Sequence, residues 1–481
     1  MKEIVYIASI KYTYMTLFKK LSPLIFVFFI FCANSFAQKA KKPNIVIINV
    51  DDLGWKDLGY MGSTYYETPN IDALAKESMR FDNAYAGAAN CAPSRACLLS
   101  GTNTPKHGVY TVGSSSRGKK KLRKLIPVKN TLHLTNQVCT LPKFLQSQGY
   151  ETASFGKWHV GTDPEKQGIE YNIGGSDKGS PGKGGYFSPY TIDNIIDGPE
   201  GEYLTDRIAS EVVSYLSKPK EKPFFLYIPF YSVHTPIQGK QELVNKFRQK
   251  KSSKGQNNAN YAAMVATMDT NIGKILTALD KQNLSQNTLL IFTSDNGGIN
   301  FISDQNPLRA GKGSYYEGGI RVPLLIRYPK IIKAGTSSEQ IVSHLDFFKT
   351  IHAIVTPTAT NAQLDGIDIQ HTFKGKITKR DLYFHFPIYL QAYRKGKDEG
   401  RDHNFRTRPG SVIRSGNWKL HYYYEDQQME LYDLNKDLSE SNNLVEIFPD
   451  KSKELYKLLQ IWLKKNKAKV PSKNNPYFAN N

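Results

Sequence analysis

The sequence predicts an α/β protein, with a large, mainly parallel sheet flanked by helices and a smaller antiparallel unit after it. Three observations carry that expectation. Apolar runs without internal period, such as NIVIINV at 44–50, have the composition of strands covered on both faces. Helical patterns separate these runs, as in βαβ units. After about residue 375 the texture changes to short strands with turns, as in GSVIRSGNWKLHYYYEDQQMELYDL. The expected divisions are an export signal at 1–37, a large α/β unit at 38–375 and a C-terminal α+β unit at 376–481.

The elements follow in order. Lys19 and Lys20 precede the apolar run LSPLIFVFFIFC, and Ser35-Phe36-Ala37 places small residues where a signal peptidase reads them. Cleavage after Ala37 is expected, with Met15 an alternative start. Phe31 before Cys32 argues against a lipoprotein box. No other stretch is long and apolar enough to span a bilayer, so the mature chain is expected to be exported, periplasmic or extracellular, without stable membrane insertion. After the first strand, Thr68 and Pro69 open a helix as N-cap and N1. Thr140 caps a second helix that stops at Gly149 and leads into YETASFGKWH. PFFLYIPFY at 223–231 and TLLIFTSD at 288–295 are further buried strands, separated by the long helical pattern YAAMVATMDTNIGKILTALD.

Composition narrows the partners. The formal charge is +21 over 481 residues; the signal segment removes four Lys and one Glu, leaving +18. Such a surface favours polyanions. No nucleic-acid motif accompanies it, and nucleic acid is not an expected partner. Cys91, Cys97 and Cys139 remain after cleavage, too few for a disulfide framework. A Cys97–Cys139 bridge is left open.

Polar residues cluster at one end of the strands. Asp51-Asp52 follow the first, Lys157-Trp158-His159 end the second, His234-Thr235-Pro236 follow the third, and Asp295-Asn296-Gly297-Gly298 follow the fourth. Each alone has an ordinary reading as a turn, a cap or a loop histidine. Their coincidence is informative, because ligands in open α/β sheets bind beyond the carboxyl ends of the strands. Asp51, Asp52, Asp295 and Asn296 form a hard-oxygen set suited to Ca²⁺ or Mg²⁺. Arg95, Lys157, His159, His234 and Lys312 add cationic or proton-carrying groups, the combination that holds a tetrahedral oxyanion ester.

Cys91-Ala92-Pro93-Ser94-Arg95, with Gly149-Tyr150 leading into Gly156-Lys157-Trp158-His159, closely resembles the formylglycine-dependent sulfatases of the alkaline-phosphatase superfamily. The ordered Asp-Asp, Cys-x-Pro-Ser-Arg, Gly-Lys, His-x-Pro, Asp-Asn-Gly and Gly-Lys-Gly elements run from 51 to 313, and ELYDLNKDLSESNNL looks like that family's C-terminal region. The resemblance implies an alkaline-phosphatase-like fold and a sulfuric ester hydrolase. It implies that a maturation enzyme converts Cys91 to formylglycine (3-oxoalanine), whose hydrate releases sulfate by re-forming the carbonyl. It further implies one Ca²⁺ held by Asp51, Asp52, Asp295, Asn296 and the modified Cys91. Asp295 then takes the proton of the attacking hydroxyl, Arg95 and Lys157 stabilise the nucleophile and the sulfate charge, His234 and Lys312 act on the leaving oxygen, and His159 removes the second diol proton. Ser100, Asn103 and Phe155 depart from the family pattern outside the Cys-x-Pro-Ser-Arg core.

The basic surface and the run RGKKKLRK at 117–124 suit a sulfated polysaccharide or its oligosaccharides as substrate. His385, Arg406 and Arg408, in the His-, Tyr- and Arg-rich stretch at 385–410, are candidate contacts to the sugar or to a carboxylate or second sulfate. Two alternatives stand beside this reading. One is a phosphomonoesterase or phosphodiesterase of the same superfamily, which Cys91 argues against; the other is a non-catalytic sulfated-glycan binding protein with unmodified Cys91.

Overall fold

A computed structural model describes residues 42–358 and 363–479. The signal segment, with Met15, Cys32 and the Ala37 cleavage site, lies outside the described residues. The described residues from Asn44 onward form one compact unit.

Strand β1 (Asn44–Val50) is buried along its whole length. Its side chains alternate between two layers. Val46, Ile48 and Val50 pack into one core, and Ile45 and Ile47 into the other, which is why the run carries no polar period. The first layer is covered by α1 (Pro69–Glu77) and by two longer helices described below; β2 (Met79–Phe81) follows α1. The second layer is covered by α2 (Cys91–Ser100) and α3 (Leu141–Ser147). Thr140 accepts from the Lys143 amide at 3.3 Å, as its capping role requires. Thr68 occupies the N-cap of α1 without capping the backbone: its hydroxyl oxygen accepts from the Gly59 amide at 2.8 Å instead, and the hydroxyl donates to Asp72 Oδ1 at 3.0 Å.

Strands β3 (Glu151–Phe155) and β4 (Tyr171–Ile173) precede α4 (Leu204–Ser217), β5 (Phe224–Pro229), α5 (Ala259–Lys281) and β6 (Thr288–Ser294). Then come β7 (Leu324–Arg327), β8 (Thr336–Ser338) and α6 (Leu345–Val355). The helices α4 and α5 close the first layer and α6 the second. The eight strands order as β4-β3-β5-β1-β6-β7-β2-β8. All neighbours are parallel except β6/β7 and β7/β2. The pairs Asn49↔Pro229 and Val50↔Ser294 bring the carboxyl ends of β5, β1 and β6 level.

Strand β3 stops at Phe155, earlier than the expected end at His159. Gly156 takes φ +120°, and a Cβ there would stand 2.1 Å from the Pro229 carbonyl oxygen. The chain leaves the sheet at this glycine and carries Lys157 and His159 onto the rim.

The C-terminal sheet orders β9 (Asp381–Phe386), β10 (Gly410–Ser415), β11 (Trp418–Tyr423) and β12 (Met429–Asp433), all antiparallel. Helix α7 (Pro449–Lys465) seals one face through Leu455 and Leu459 against Ile413, Leu420 and Leu431. The other face packs Phe384, Phe386 and Val412 onto Tyr85, Tyr110 and Tyr315 of the larger sheet's loops. No helix among the described residues is long and apolar enough to cross a membrane.

Candidate active site

The level strand ends deliver the rim residues together. Asp51 and Asp52 leave β1, Asp52 in a left-handed conformation at φ +60°. The Asp295 amide donates to Val50 O at 2.9 Å, and the Asp52 amide donates to Asp295 Oδ1 at 3.2 Å. Oxygens of Asp51, Asp52 and Asp295 lie within 4.8 Å of one another, and all three residues are buried.

Like charges this close need compensation. Arg95, wholly buried on α2, donates to Asp295 Oδ2 at 2.8 Å and to Lys157 O at 2.6 Å. Lys157 Nζ donates to Asp51 Oδ2 at 2.6 Å, and Lys312 Nζ to Asp52 Oδ2 at 2.7 Å. The balance is uneven. Burial raises the Asp51 carboxyl well above its ordinary range, Lys157 only partly opposes this, and Asp295 adds to it. Burial acts on Asp52 too, but Lys312 and His234 outweigh it and hold that carboxyl low.

Two buried oxygens in this cluster, Asp51 Oδ1 and Asn296 Oδ1, have no hydrogen-bond partner in the protein. Asn296 Nδ2 donates to Asp52 Oδ1 at 2.8 Å and so fixes the amide. Buried oxygens without donors, beside three carboxylates, are a donor set that fits a hard divalent cation. Asp51, Asp52, Asp295 and Asn296 are the residues that could hold it.

Cys91 is the first residue of α2 and is 2 % exposed. Its helix end offers unpaired amides and a favourable dipole to an anion. Burial raises the thiol, but Lys157 and Lys312, with hydrogen bonds to His159 and His234, overcome it and hold Cys91 well below a free cysteine. Cys97 and Cys139 are also free thiols, so the bridge left open by the sequence is not formed. Cys97 instead lies inside α2, 3.5 Å from His107 Nε2.

Above Cys91 opens a cavity of about 400 Å³, lined in part by His159, His234, Lys312, Arg117, Tyr393 and Arg406. His234 shares Nδ1 with Thr235 O at 2.7 Å, which turns Nε2 toward Asp52 Oδ2, 3.7 Å away. His159 is buried and held neutral, its imidazolium pushed down to about 4 by burial and Lys157. Gly179 lies flat against that ring, where a Cβ would come within 2.4 Å of Cε1.

The remaining candidates separate. Arg406 reaches the cavity wall. Arg408 does not line it: the guanidinium is engaged by Asp402 and Glu425. His385 is also elsewhere, 1 % exposed in the C-terminal sheet, with Nδ1 2.8 Å from Ser411 Oγ and Nε2 2.9 Å from Lys469 O. Arg95 and Lys157 do not line the cavity; they hold Asp295 and Asp51, and Lys157 also lowers the Cys91 thiol. Sequence reasoning did not single out Arg117, Asp177, Gly179 or Tyr393. Arg117 begins the basic run that drew attention only for its net charge, and the others sit in loops without a motif.

A parallel sheet whose strand ends present buried carboxylates, lysines and histidines around one nucleophilic position defines a hydrolase of tetrahedral oxyanion esters. Comparison with known proteins makes the class specific. The sulfatase family model matches residues 43–356, and the N-sulphoglucosamine sulphohydrolase C-terminal model matches residues 311–469. A sulfatase of Formosa agariphila is 33% identical, covering 89% of this chain and 90% of the relative. The N-acetylgalactosamine-6-sulfatase of Mus musculus is 31% identical over 75% of this chain and 72% of its own. The crystal structure of Ps i-CgsB in complex with k-i-k-neocarrahexaose has a TM-score of 0.71 at 31% identity, covering 89% of this chain and 94% of that one. The chain belongs to the sulfatase family and is a sulfuric ester hydrolase.

Proposed function

We propose that the protein is an exported sulfatase that hydrolyses sulfate esters of a sulfated polysaccharide or its oligosaccharides, using formylglycine derived from Cys91 and one Ca²⁺. The observation that carries this reading is the position of Cys91. It is the first residue of a buried helix, at the floor of a cavity ringed by His159, His234 and Lys312 and set above Asp51, Asp52 and Asp295.

When bound, Ca²⁺ supplies charge to a sulfate oxygen and polarises the nucleophile. Conversion of Cys91 by a maturation enzyme supplies a hydrated aldehyde, one hydroxyl to attack sulfur and a second for release. This chain's own residues do the rest. Asp295 Oδ1 accepts the proton of the attacking hydroxyl, while Arg95 holds Oδ2 in place. Lys157 fixes Asp51 and offsets its charge. Lys312 Nζ and His234 Nε2 face the cavity, where they bind the ester oxyanion and protonate the departing sugar oxygen. His159, neutral at working pH, accepts the second proton as sulfate leaves.

Two relatives support a glycan substrate: Ps i-CgsB, in its complex with k-i-k-neocarrahexaose, and the N-acetylgalactosamine-6-sulfatase of Mus musculus. The test is sulfate release from carrageenan, ulvan, fucoidan and glycosaminoglycan fragments, with Cys91→Ala protein as the control. Release by wild type alone supports the reading; no release from any fragment or from an aryl sulfate would remove it.

A further inference from the structure

Arg406 is 7 % exposed, and its Nε and Nη1 are buried without a hydrogen-bond partner in the protein. Other buried arginines are engaged: Arg95, Arg321 and Arg327 hold Asp295, Glu317 and Glu77 at 2.8, 3.0 and 2.7 Å, and Arg414, which has no carboxylate partner among the described residues, donates to Tyr85 Oη and to Asn83 Oδ1. No ion pair to Arg406 is formed among the described residues. Its guanidinium stacks 3.5 Å over the Tyr393 ring, a contact that falls well short of a buried charge's desolvation.

The surroundings hold Arg406 in place and leave it unneutralised. Thr407 Oγ1 donates to Gly313 O, tying the strand segment 405–407 to the loop that carries Lys312. Gly313 has no room for a side chain, since a Cβ would stand 2.6 Å from Arg406 Nε. Arg117 lines the same cavity, its guanidinium anchored by Val112 O. Burial and Arg117 together push Arg406 down to about 9, so it remains a cation at neutral pH. The one carboxylate in the cavity lining, Asp177, is exposed and faces His133 Nε2 at 4.0 Å.

In that reading a single sulfate ester would meet Lys312, His159 and His234, which line the cavity with Cys91. Two further guanidinium groups in the wall exceed what its one charge requires. We propose that Arg406 and Arg117 form a second anion site, taking a sulfate or a uronate carboxylate carried by the same substrate as the ester that is cleaved. Guanidinium planes match such oxyanions by paired N–H donors, which an ammonium cannot do. A groove of about 710 Å³ is built from the adjoining segments 118–122 and 391–405, lined by Lys119, Lys121 and Lys395 and by no carboxylate. It offers a path for the rest of an anionic oligosaccharide. The proposal rests on the sulfatase reading of the Cys91 cavity.

The test compares matched substrates on wild type, Arg406→Gln and Arg117→Gln. κ- and ι-carrageenan tetrasaccharides differ by one sulfate per disaccharide; a chondroitin 6-sulfate disaccharide and its carboxyl-reduced form differ by one carboxylate. The site predicts that wild type prefers the more anionic member of at least one pair by tenfold or more in kcat/KM, and that each variant lowers this ratio at least fivefold. Which pair responds distinguishes sulfate from carboxylate. Ratios near one in wild type, or equal losses on both members, would overturn the proposal by placing the arginines on the cleaved sulfate or nowhere. Calorimetric binding of the same four compounds to Cys91→Ala protein, with and without Arg406→Gln, reads the site without turnover. A tenfold weakening there sustains the second site even if the sulfatase reading fails; unchanged binding removes it. Arg117 is half-buried, so its variant keeps the test interpretable if Arg406→Gln does not fold.

Discussion

Lys157 Nζ and Asp51 Oδ2 lie 2.6 Å apart with neither side chain exposed to solvent. The ion pair is set in a cluster with two further carboxylates, Asp52 and Asp295, and burial drives Asp51 toward its neutral form. A divalent cation bound there would offset the same excess of negative charge as Lys157 does.

Lys157→Met is expected to destabilise the protein by about 3–5 kcal/mol in chelator, the usual cost of breaking a buried pair. In saturating Ca²⁺ the loss should be smaller, because removing the competing ammonium tightens Ca²⁺ binding, and the stabilisation RT ln(1 + [L]/Kd) is then larger for the variant than for wild type. Denaturant melts under both conditions read this. Asp295→Ala should lower sulfate release by orders of magnitude. Equal losses in chelator and Ca²⁺, or restoration of activity by Zn²⁺ but not Ca²⁺, would reject the Ca²⁺ assignment.

Peptide mass spectrometry of protein from its native source should find an aldehyde, not a thiol, at position 91. Cys91→Ala should abolish turnover with little change in melting temperature, since the side chain faces the cavity at a helix end. Full activity with an intact thiol would refute the nucleophile.

His385 gives a pH prediction unrelated to catalysis. Burial holds it down to about 4, against 6.5 for a free imidazole. The unfolded chain takes up that proton first as pH falls, so the stability His385 contributes is complete above about 6.5 and is lost as pH drops toward 4. Each pKa unit is worth about 1.4 kcal/mol. His385→Gln should flatten the fall of stability across this window while sparing sulfate release. An unchanged pH slope would contradict a buried neutral His385.

Salt separates substrate classes. If the basic groove guides an anionic chain, kcat/KM on sulfated glycan fragments should fall as the Debye length shrinks from about 10 Å at 0.1 M toward about 3 Å at 1 M. A small aryl sulfate, with one charge, should respond less. Equal salt slopes for both substrates would show that the basic surface does not steer the substrate.

The sequence by itself determined the sheet and the rim on which the polar residues gather. These are local signals: short, β-branched apolar runs bounded by turn residues read as strands covered on both faces, and the polar residues following them emerge at one end of a parallel sheet. Asp51, His234 and Asp295 were legible for that reason. The exit of Lys157 and His159 from the sheet depended on a contact that no local signal carries, the approach of Gly156 to Pro229. Tertiary structure alone distinguished Arg406 from Arg408. They are two residues apart and identical in chemistry, but Asp402 and Glu425 neutralise Arg408, whereas Tyr393 and Gly313 hold Arg406 beside Arg117 with no ion pair formed among the described residues. Whether a buried guanidinium is free to bind is set by what the rest of the chain brings against it, because an ion pair forms through space and leaves no periodicity in the sequence.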